Sequence, residues 1–147
     1  QLHQRLDQLN VELQQKLLPK VGLSDFKKAE ALIRAGADPN SLTQNGYPLI
    51  VEAMHKNRFD IVEFLQKNGA NLDKKAKDGT TALHQAVKSG IVRTVRFLLM
   101  NGANPNIVDT NDTTPLMLTV FVQNRNNAIQ IARLLLNAGA DITARNK

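Results

Sequence analysis

The phrase Asn101-Gly102-Ala103-Asn104 decides the fold of this chain, because variants of it recur at a nearly constant interval. The other copies are Ala35-Gly36-Ala37-Asp38, Asn68-Gly69-Ala70-Asn71 and Ala138-Gly139-Ala140-Asp141. Successive glycines are 33, 33 and 37 residues apart, and self-similarity at such a period indicates a stacked array of repeats. An array of this kind presents a long surface to partners rather than one enclosed cavity for chemistry.

The clearest repeat begins at Asp78-Gly79, a turn signal that predicts a hairpin tip. Thr81 then stands where its hydroxyl can cap a helix, and His84, three residues on, can complete a capping box. Apolar residues recur at helical spacing after Gly90, and the second helix of the pair should end at Gly102. We therefore expect a short inner helix followed by a longer outer helix.

This unit resembles the ankyrin repeat, whose inner helix starts with the pattern Thr-Pro-Leu-His. Thr81-Ala82-Leu83-His84 and Thr114-Pro115-Leu116-Met117 match that pattern closely, whereas Pro48-Leu49-Ile50-Val51 lacks the threonine and the histidine. The resemblance covers about residues 12–147. Tetratricopeptide and HEAT arrays are the alternatives among helical repeats, but they lack the Asp-Gly tips and the Gly-Ala-Asp closures.

The resemblance implies an all-α repeat fold, an α-solenoid of about four helix-turn-helix units joined by short β-hairpin-like loops. We expect a single domain over 1–147, with an N-terminal helix or capping unit over about 1–38. Repeats should follow at about 39–71, 72–104 and 105–141, and 142–147 should be a tail or the start of a further unit. The expected helix pairs are 48–57 with 58–68, 82–89 with 91–101 and 115–123 with 127–138, after a pair that precedes Gly36.

Two departures from a uniform period carry further expectations. The fourth unit holds four extra residues near 123–126, which predicts a longer loop between its two helices. At the other end, leucines at positions 2, 6, 9, 13 and 17 form an apolar stripe. This stripe predicts a helix that covers the first repeat, and a short coiled-coil contact is the alternative.

Composition excludes several classes of function. The chain has no cysteine, its three histidines are scattered, and it contains no phosphate-binding, nucleophile-elbow or zinc-protease motif. We therefore expect no catalytic residue, no bound metal and no cofactor. Its aspartates, including Asp73 and Asp78, lie at turns or helix boundaries, where local hydrogen bonding explains them better than acid–base catalysis.

Partners of the family usually meet the hairpin tips and the solvent side of the inner helices. On that resemblance the expected partner-binding residues are Tyr47, His55, Lys56, Lys74, Lys75, Lys77, Thr80, Lys88, Thr113, Phe121 and Val122. The five lysines are expected to form one basic patch framed by the two aromatic residues, with an exposed apolar pair at 121 and 122. The alternative is that the lysines only keep the array soluble.

The sequence thus predicts a non-catalytic protein–protein interaction module that binds a protein or peptide of acidic character. It is expected to be a monomeric part of a larger protein, located in the cytoplasm, or in the host cytosol if it is a secreted effector. The main alternative is the recognition domain of a larger enzyme or of a pathogen effector. Nucleic-acid binding is a weaker alternative, since it rests only on the net charge of +6, and no membrane insertion is expected.

Overall fold

The computed structural model describes residues 2–17 and 23–143, and the chain divides into two compact units, residues 1–71 and 72–147. Helices dominate both units. In the described ranges the only β-structure is a single antiparallel bridge between Leu42 and Pro48. No helix in these ranges has the length and apolar character needed to cross a membrane.

The first unit consists of two helix pairs. Their bounds are α1 Leu2–Leu17, α2 Leu23–Arg34, α3 Leu49–His55 and α4 Phe59–Lys67. The leucine stripe of α1 packs toward α2, with Leu9 and Leu13 buried and Leu2 exposed. The side chain of Leu17, the last member of the predicted stripe, lies outside the described residues.

Helix α3 forms without a side-chain cap, as the missing threonine predicted. Pro48 stands at its N-cap, and the Pro48 carbonyl accepts from the amides of Val51 and Glu52 at 3.0 and 3.3 Å. Leu49 and Ile50, the first two residues of the helix, are buried in the core. Burial of this apolar start compensates for the absent cap, because tertiary packing supplies most of the stability of short helices.

The second unit also holds two helix pairs. Its elements are α5 Ala82–Lys88, α6 Val92–Met100, a 3₁₀ helix over Leu116–Phe121 and α7 Arg125–Asn137. Val87, Val95, Leu98, Ile131 and Leu135 are completely buried between these elements. The expected inner–outer pairing is therefore present, but the inner helix of the last pair is not an α-helix.

The predicted longer loop in the fourth repeat is wrong. Three residues join α5 to α6, and three residues, 122–124, join the 3₁₀ helix to α7. The extra residues instead lengthen the outer helix, since α7 has 13 residues where α6 has nine. Asn124 caps this longer helix by accepting from the amide of Asn127 at 3.0 Å.

Local hydrogen bonds explain why the predicted helix over 115–123 is a 3₁₀ helix over 116–121. The amide of Leu118 donates to the Pro115 carbonyl at 3.0 Å, and the Thr119 hydroxyl donates to the Leu116 carbonyl at 2.7 Å. Both contacts span three residues, the spacing of a 3₁₀ turn. β-Branched Thr119 and Val120 also have low α-helix propensity, and no residue of this helix is buried.

Side-chain oxygens near the start of each repeat hold the turn that closes it. Each accepts a hydrogen bond from the amide that lies two residues after a closing glycine, at 2.5–2.9 Å. The pairs are Asn10 with Asp38 and Asn40 with Asn71 in the first unit, and Asp73 with Asn104 and Asn106 with Asp141 in the second. The Asp73 carboxylate thus bonds to a turn 31 residues further along the chain, a longer range than the local role expected for it.

The capping box predicted at the start of α5 is present. The Thr81 hydroxyl accepts from the His84 amide at 3.4 Å, and Nδ1 of His84 accepts from the Thr81 amide at 3.1 Å. The other ring nitrogen, Nε2, donates to the carbonyl of Thr113 at 2.8 Å. The ring is therefore neutral, and it links two successive hairpin tips of the second unit.

The stability of the second unit should fall as the pH drops below about 6.5, the ordinary pKa of histidine. His84 is only 1% exposed, and burial lowers its pKa, while the Thr113 carbonyl and Asp109 only partly oppose that effect. The unfolded chain then binds a proton before the folded chain does, so the free energy of unfolding is highest above that pH and falls below it. Urea unfolding at a series of pH values measures this decline.

His84→Gln provides the matched comparison, because glutamine can close a capping box but does not titrate in this range. The variant should show a shallower decline between pH 7 and pH 5 than the wild-type chain. An unchanged slope in His84→Gln would contradict this assignment.

Replacing Gly79 by alanine should destabilise the second unit by about 1–3 kcal/mol. Gly79 has a φ of +80°, and a Cβ there would lie 2.8 Å from the backbone nitrogen of Thr110, which donates to the Asp78 carbonyl. Gly102→Ala is the control, because its φ is +91° but no atom lies within 4 Å of the added Cβ. Thermal unfolding of both variants separates the effect of the clash from that of the positive φ. The loss of stability should be larger for Gly79→Ala.

Candidate functional site

The expected partner-binding residues divide between the two units. Tyr47, His55 and Lys56 belong to the first, and the other eight belong to the second. In the first unit the rings of Tyr47 and His55 meet edge to face, with centroids 6.1 Å apart. His55 ends α3 and Lys56 follows it, and both side chains are exposed. One basic patch that combines lysines of both units stays a prediction.

The lysine-rich tip of the second unit contains two kinds of lysine. Nζ of Lys75 donates to the carbonyl of Val108 at 3.0 Å, so this side chain bridges two successive tips. Lys74 and Lys77 are exposed, and no described residue pairs with either of them. These two lysines are therefore the members of the tip with charges fully available to a partner.

The threonines predicted at the tips both take part in hydrogen bonds within the protein. The Thr80 hydroxyl donates to Oδ1 of Asp78 at 2.6 Å, and this hydrogen bond lowers the pKa of Asp78. The same hydroxyl accepts from Nε2 of Gln85 at 3.1 Å. The Thr113 amide donates to Asp109, and its carbonyl accepts from His84. Thr80 and Thr113 thus shape the tips, and their place at a partner surface stays a prediction.

Three predicted residues come together around one cavity in the second unit. Lys88, Phe121 and Val122 line a cavity of about 260 Å³ beside the end of α5. Ser89, Gln123, Asn124 and Asn127 supply most of its polar lining. The cavity thus combines an ammonium group, an aromatic ring and several neutral hydrogen-bonding groups. We call it the α5 cavity.

The apolar pair predicted at this place differs in exposure. Phe121 is 68% exposed, whereas Val122 is half-buried, because it packs against Gly90. Nδ2 of Asn127 donates to the Gly90 carbonyl at 3.4 Å and so connects the wall formed by α7 to the end of α5. Val120, which the sequence analysis did not single out, is 77% exposed. Its position in a 3₁₀ helix, rather than in the expected α-helix, is the reason it was missed.

Charge distinguishes the two units. From residue 72 onward the sequence has ten basic and five acidic residues, and up to residue 71 it has nine basic and eight acidic residues. Most of the net charge of +6 therefore belongs to the second unit. No carboxylate lines the α5 cavity. Its electrostatic character, like that of the lysine tip, suits a negatively charged group.

A second concave surface, in the first unit, was not anticipated. It lies between α1, the hairpin tip at residues 43–45 and α3, and it encloses about 610 Å³. We call it the α1 groove. Its lining consists largely of glutamine and asparagine side chains together with Glu52 and Lys56. Of the eleven partner-binding residues predicted above, only Lys56 lines this groove.

These surfaces offer hydrogen bonds, charge and apolar contact. Among residues 2–17 and 23–143, no group of three or more histidine, cysteine, aspartate or glutamate side chains is placed to hold a metal ion. His84, a common type of general base, has both ring nitrogens bonded inside the protein. Its bonds therefore assign it to the tips rather than to chemistry on a substrate.

Comparison with known families agrees with this geometry. Residues 22–109 match a model for ankyrin repeats in three copies, and residues 111–147 match a model for a single ankyrin repeat. No curated protein matches the sequence significantly. The matched regions cover most of the chain, and every described helix except α1 lies within them. The chain belongs to the ankyrin repeat family, as an all-helical array of about four repeats.

Proposed function

We propose that this protein is a non-catalytic binding module that recognises an acidic protein or peptide through the exposed surface of its second unit. Ankyrin repeats are generally protein–protein interaction modules, and the matched regions contain no other domain. The observation that carries the proposal is the α5 cavity, where Lys88 and Phe121 stand beside each other on the solvent side of inner helices.

Phe121 is suited to anchor a partner. An aromatic side chain that is 68% exposed gains apolar burial only when another molecule covers it. Aromatic residues beside a pocket often contribute most of the binding free energy of an interface. Val122, packed against Gly90, lines the same cavity and adds apolar surface to it.

The lysines favour an acidic partner. Lys88 lines the α5 cavity, and Lys74 and Lys77 extend from the tip without a described partner of their own. Exposed charges of one sign accelerate the encounter with a molecule of opposite charge and add less to the lifetime of the complex. We therefore assign the apolar contact to affinity and the lysines to the rate of association.

Phe121→Ala should weaken binding by about 2 kcal/mol, or roughly 30-fold, without changing the unfolding midpoint. The stability should hold because the ring is mostly exposed. The partner is first captured from cell extract and identified by mass spectrometry, and the purified pair is then measured by calorimetry. Met100→Ala is the control, since Met100 is 79% exposed on the outer helix α6. An equal loss in the two variants, or none in Phe121→Ala, would refute the anchor role.

Lys74→Glu combined with Lys77→Glu should slow association severalfold and flatten its salt dependence, with little change in dissociation. The reason is that exposed charges act mainly on encounter and are screened over about 8 Å at physiological salt. Stopped-flow measurements with the same partner at several salt concentrations test this. The matched control is Arg96→Glu with Arg133→Glu, which changes the net charge equally at exposed positions of α6 and α7.

If the control pair slows association as strongly as the lysine pair, the effect comes from net charge alone. If neither pair has an effect, the lysines serve solubility. Either result would remove the lysine tip from the binding surface.

A further inference from the structure

The α1 groove of the first unit has a fixed geometry. Nε2 of Gln14 donates to the Ser41 hydroxyl at 3.3 Å and to the Leu42 carbonyl at 3.2 Å. These bonds join α1 to the strand-like approach to the hairpin tip. On the opposite side of α1, Leu9 and Leu13 are buried. The wall of the groove formed by α1 is therefore held by packing on one side and hydrogen bonds on the other.

Glu52 is the only carboxylate in the lining, and its orientation is set by neutral groups. Its Oε1 accepts from the Thr43 hydroxyl at 2.9 Å and from Nδ2 of Asn45 at 3.2 Å. The side chain is half-buried, and no ion pair joins it to any residue in the described ranges. The groove thus presents a preoriented carboxylate that has no cationic partner among residues 2–17 and 23–143, and within these ranges its Oε2 accepts no hydrogen bond.

Lys56 lies one helical turn after Glu52 and also lines the groove, but it does not form an ion pair with Glu52. Its side chain is exposed, so its ammonium group remains in water at the rim. An exposed ammonium at a rim is well suited to a backbone carbonyl of a bound segment. The half-buried carboxylate, in contrast, loses water when the groove is filled and then requires a positive group.

We propose that the α1 groove binds a peptide segment that carries an arginine, with the guanidinium group on Glu52. The guanidinium presents five donors in a planar fork, which fits a carboxylate, and Gln14 and Gln15 contribute further acceptor groups to the lining of the groove. The methylene stem of the arginine would lie on Val11, which is 51% exposed. The cavity volume of about 610 Å³ lies within the usual range of ligand sites.

This site is separate from the proposed function of the second unit, and it selects the opposite charge. An acidic segment would place its carboxylate near Glu52, where repulsion in a partly desolvated site disfavours binding. Arginine is favoured over lysine because the lining offers several acceptors, and a single ammonium group cannot reach them in one plane.

The test uses the ¹⁵N-labelled chain and four pools of acetylated, amidated pentapeptides that differ only at the central residue. That residue is arginine, lysine, glutamate or citrulline, the neutral isostere of arginine, and the flanking positions are mixed neutral residues. The arginine pool should cause saturable shifts of the Gln15, Gln44 and Asn45 amides. The citrulline pool should bind at least about tenfold more weakly, since a charged hydrogen bond is lost.

Glu52→Gln should weaken binding of the arginine pool by about the same factor and leave the fold intact, because the amide oxygen still accepts from Thr43 and Asn45. Glu63→Gln is the control, as it removes one exposed carboxylate from α4 without touching the groove. Phe121→Ala should have no effect, which separates this site from that of the second unit. The proposal is overturned by an absence of groove shifts, by equal binding of the glutamate or citrulline pool, or by unchanged binding in Glu52→Gln.

Discussion

The hydrogen bond from a closing-turn amide to a side-chain oxygen that follows the previous closing glycine is the interaction on which the rest of this structure depends. Asn40 shows its full form, since its Oδ1 accepts from the Asn71 amide and its Nδ2 donates to the Gly69 carbonyl. Asn106 repeats both bonds with Asp141 and Gly139. Each bond satisfies a backbone polar group in the loop that follows an outer helix. Because each such bond fixes the position of a closing turn, it also fixes where the following hairpin begins.

A consequence is that the polar residues of the chain serve two separate purposes. Asparagine and aspartate side chains form the hydrogen bonds that hold the closing turns, so the abundance of these residues does not indicate a ligand site. Residues at the tips and on the solvent side of inner helices do not form these bonds. Lys75 is an exception, because its ammonium group holds the Val108 carbonyl of the next tip. Binding residues are therefore expected among side chains that do not hold the closing turns.

How far the sequence could predict this structure depended on whether a signal was local. The period of the glycines, the helix pairs and the capping box of Thr81 with His84 were predictable, since each depends on residues a few positions apart. The placement of the four extra residues in α7 was not, because surface loops and helix ends tolerate an insertion equally well by composition. The role of Asp73 was missed for a related reason, as its acceptor bond spans 31 residues. The α1 groove also depends on contacts between distant segments.

The sequence also hid how charge is distributed over the candidate sites. A net charge of +6 for the whole chain suggested one basic surface, yet the first unit is nearly balanced and the second holds the excess. Electrostatic attraction is screened beyond a Debye length of about 8 Å at physiological salt. The charge that a ligand meets at a binding site is therefore set by nearby residues rather than by the net charge of the chain. The α5 cavity has an ammonium group and no carboxylate, while the α1 groove has a carboxylate fixed by Thr43 and Asn45. Two surfaces of opposite preference in one repeat protein are therefore compatible with its basic composition.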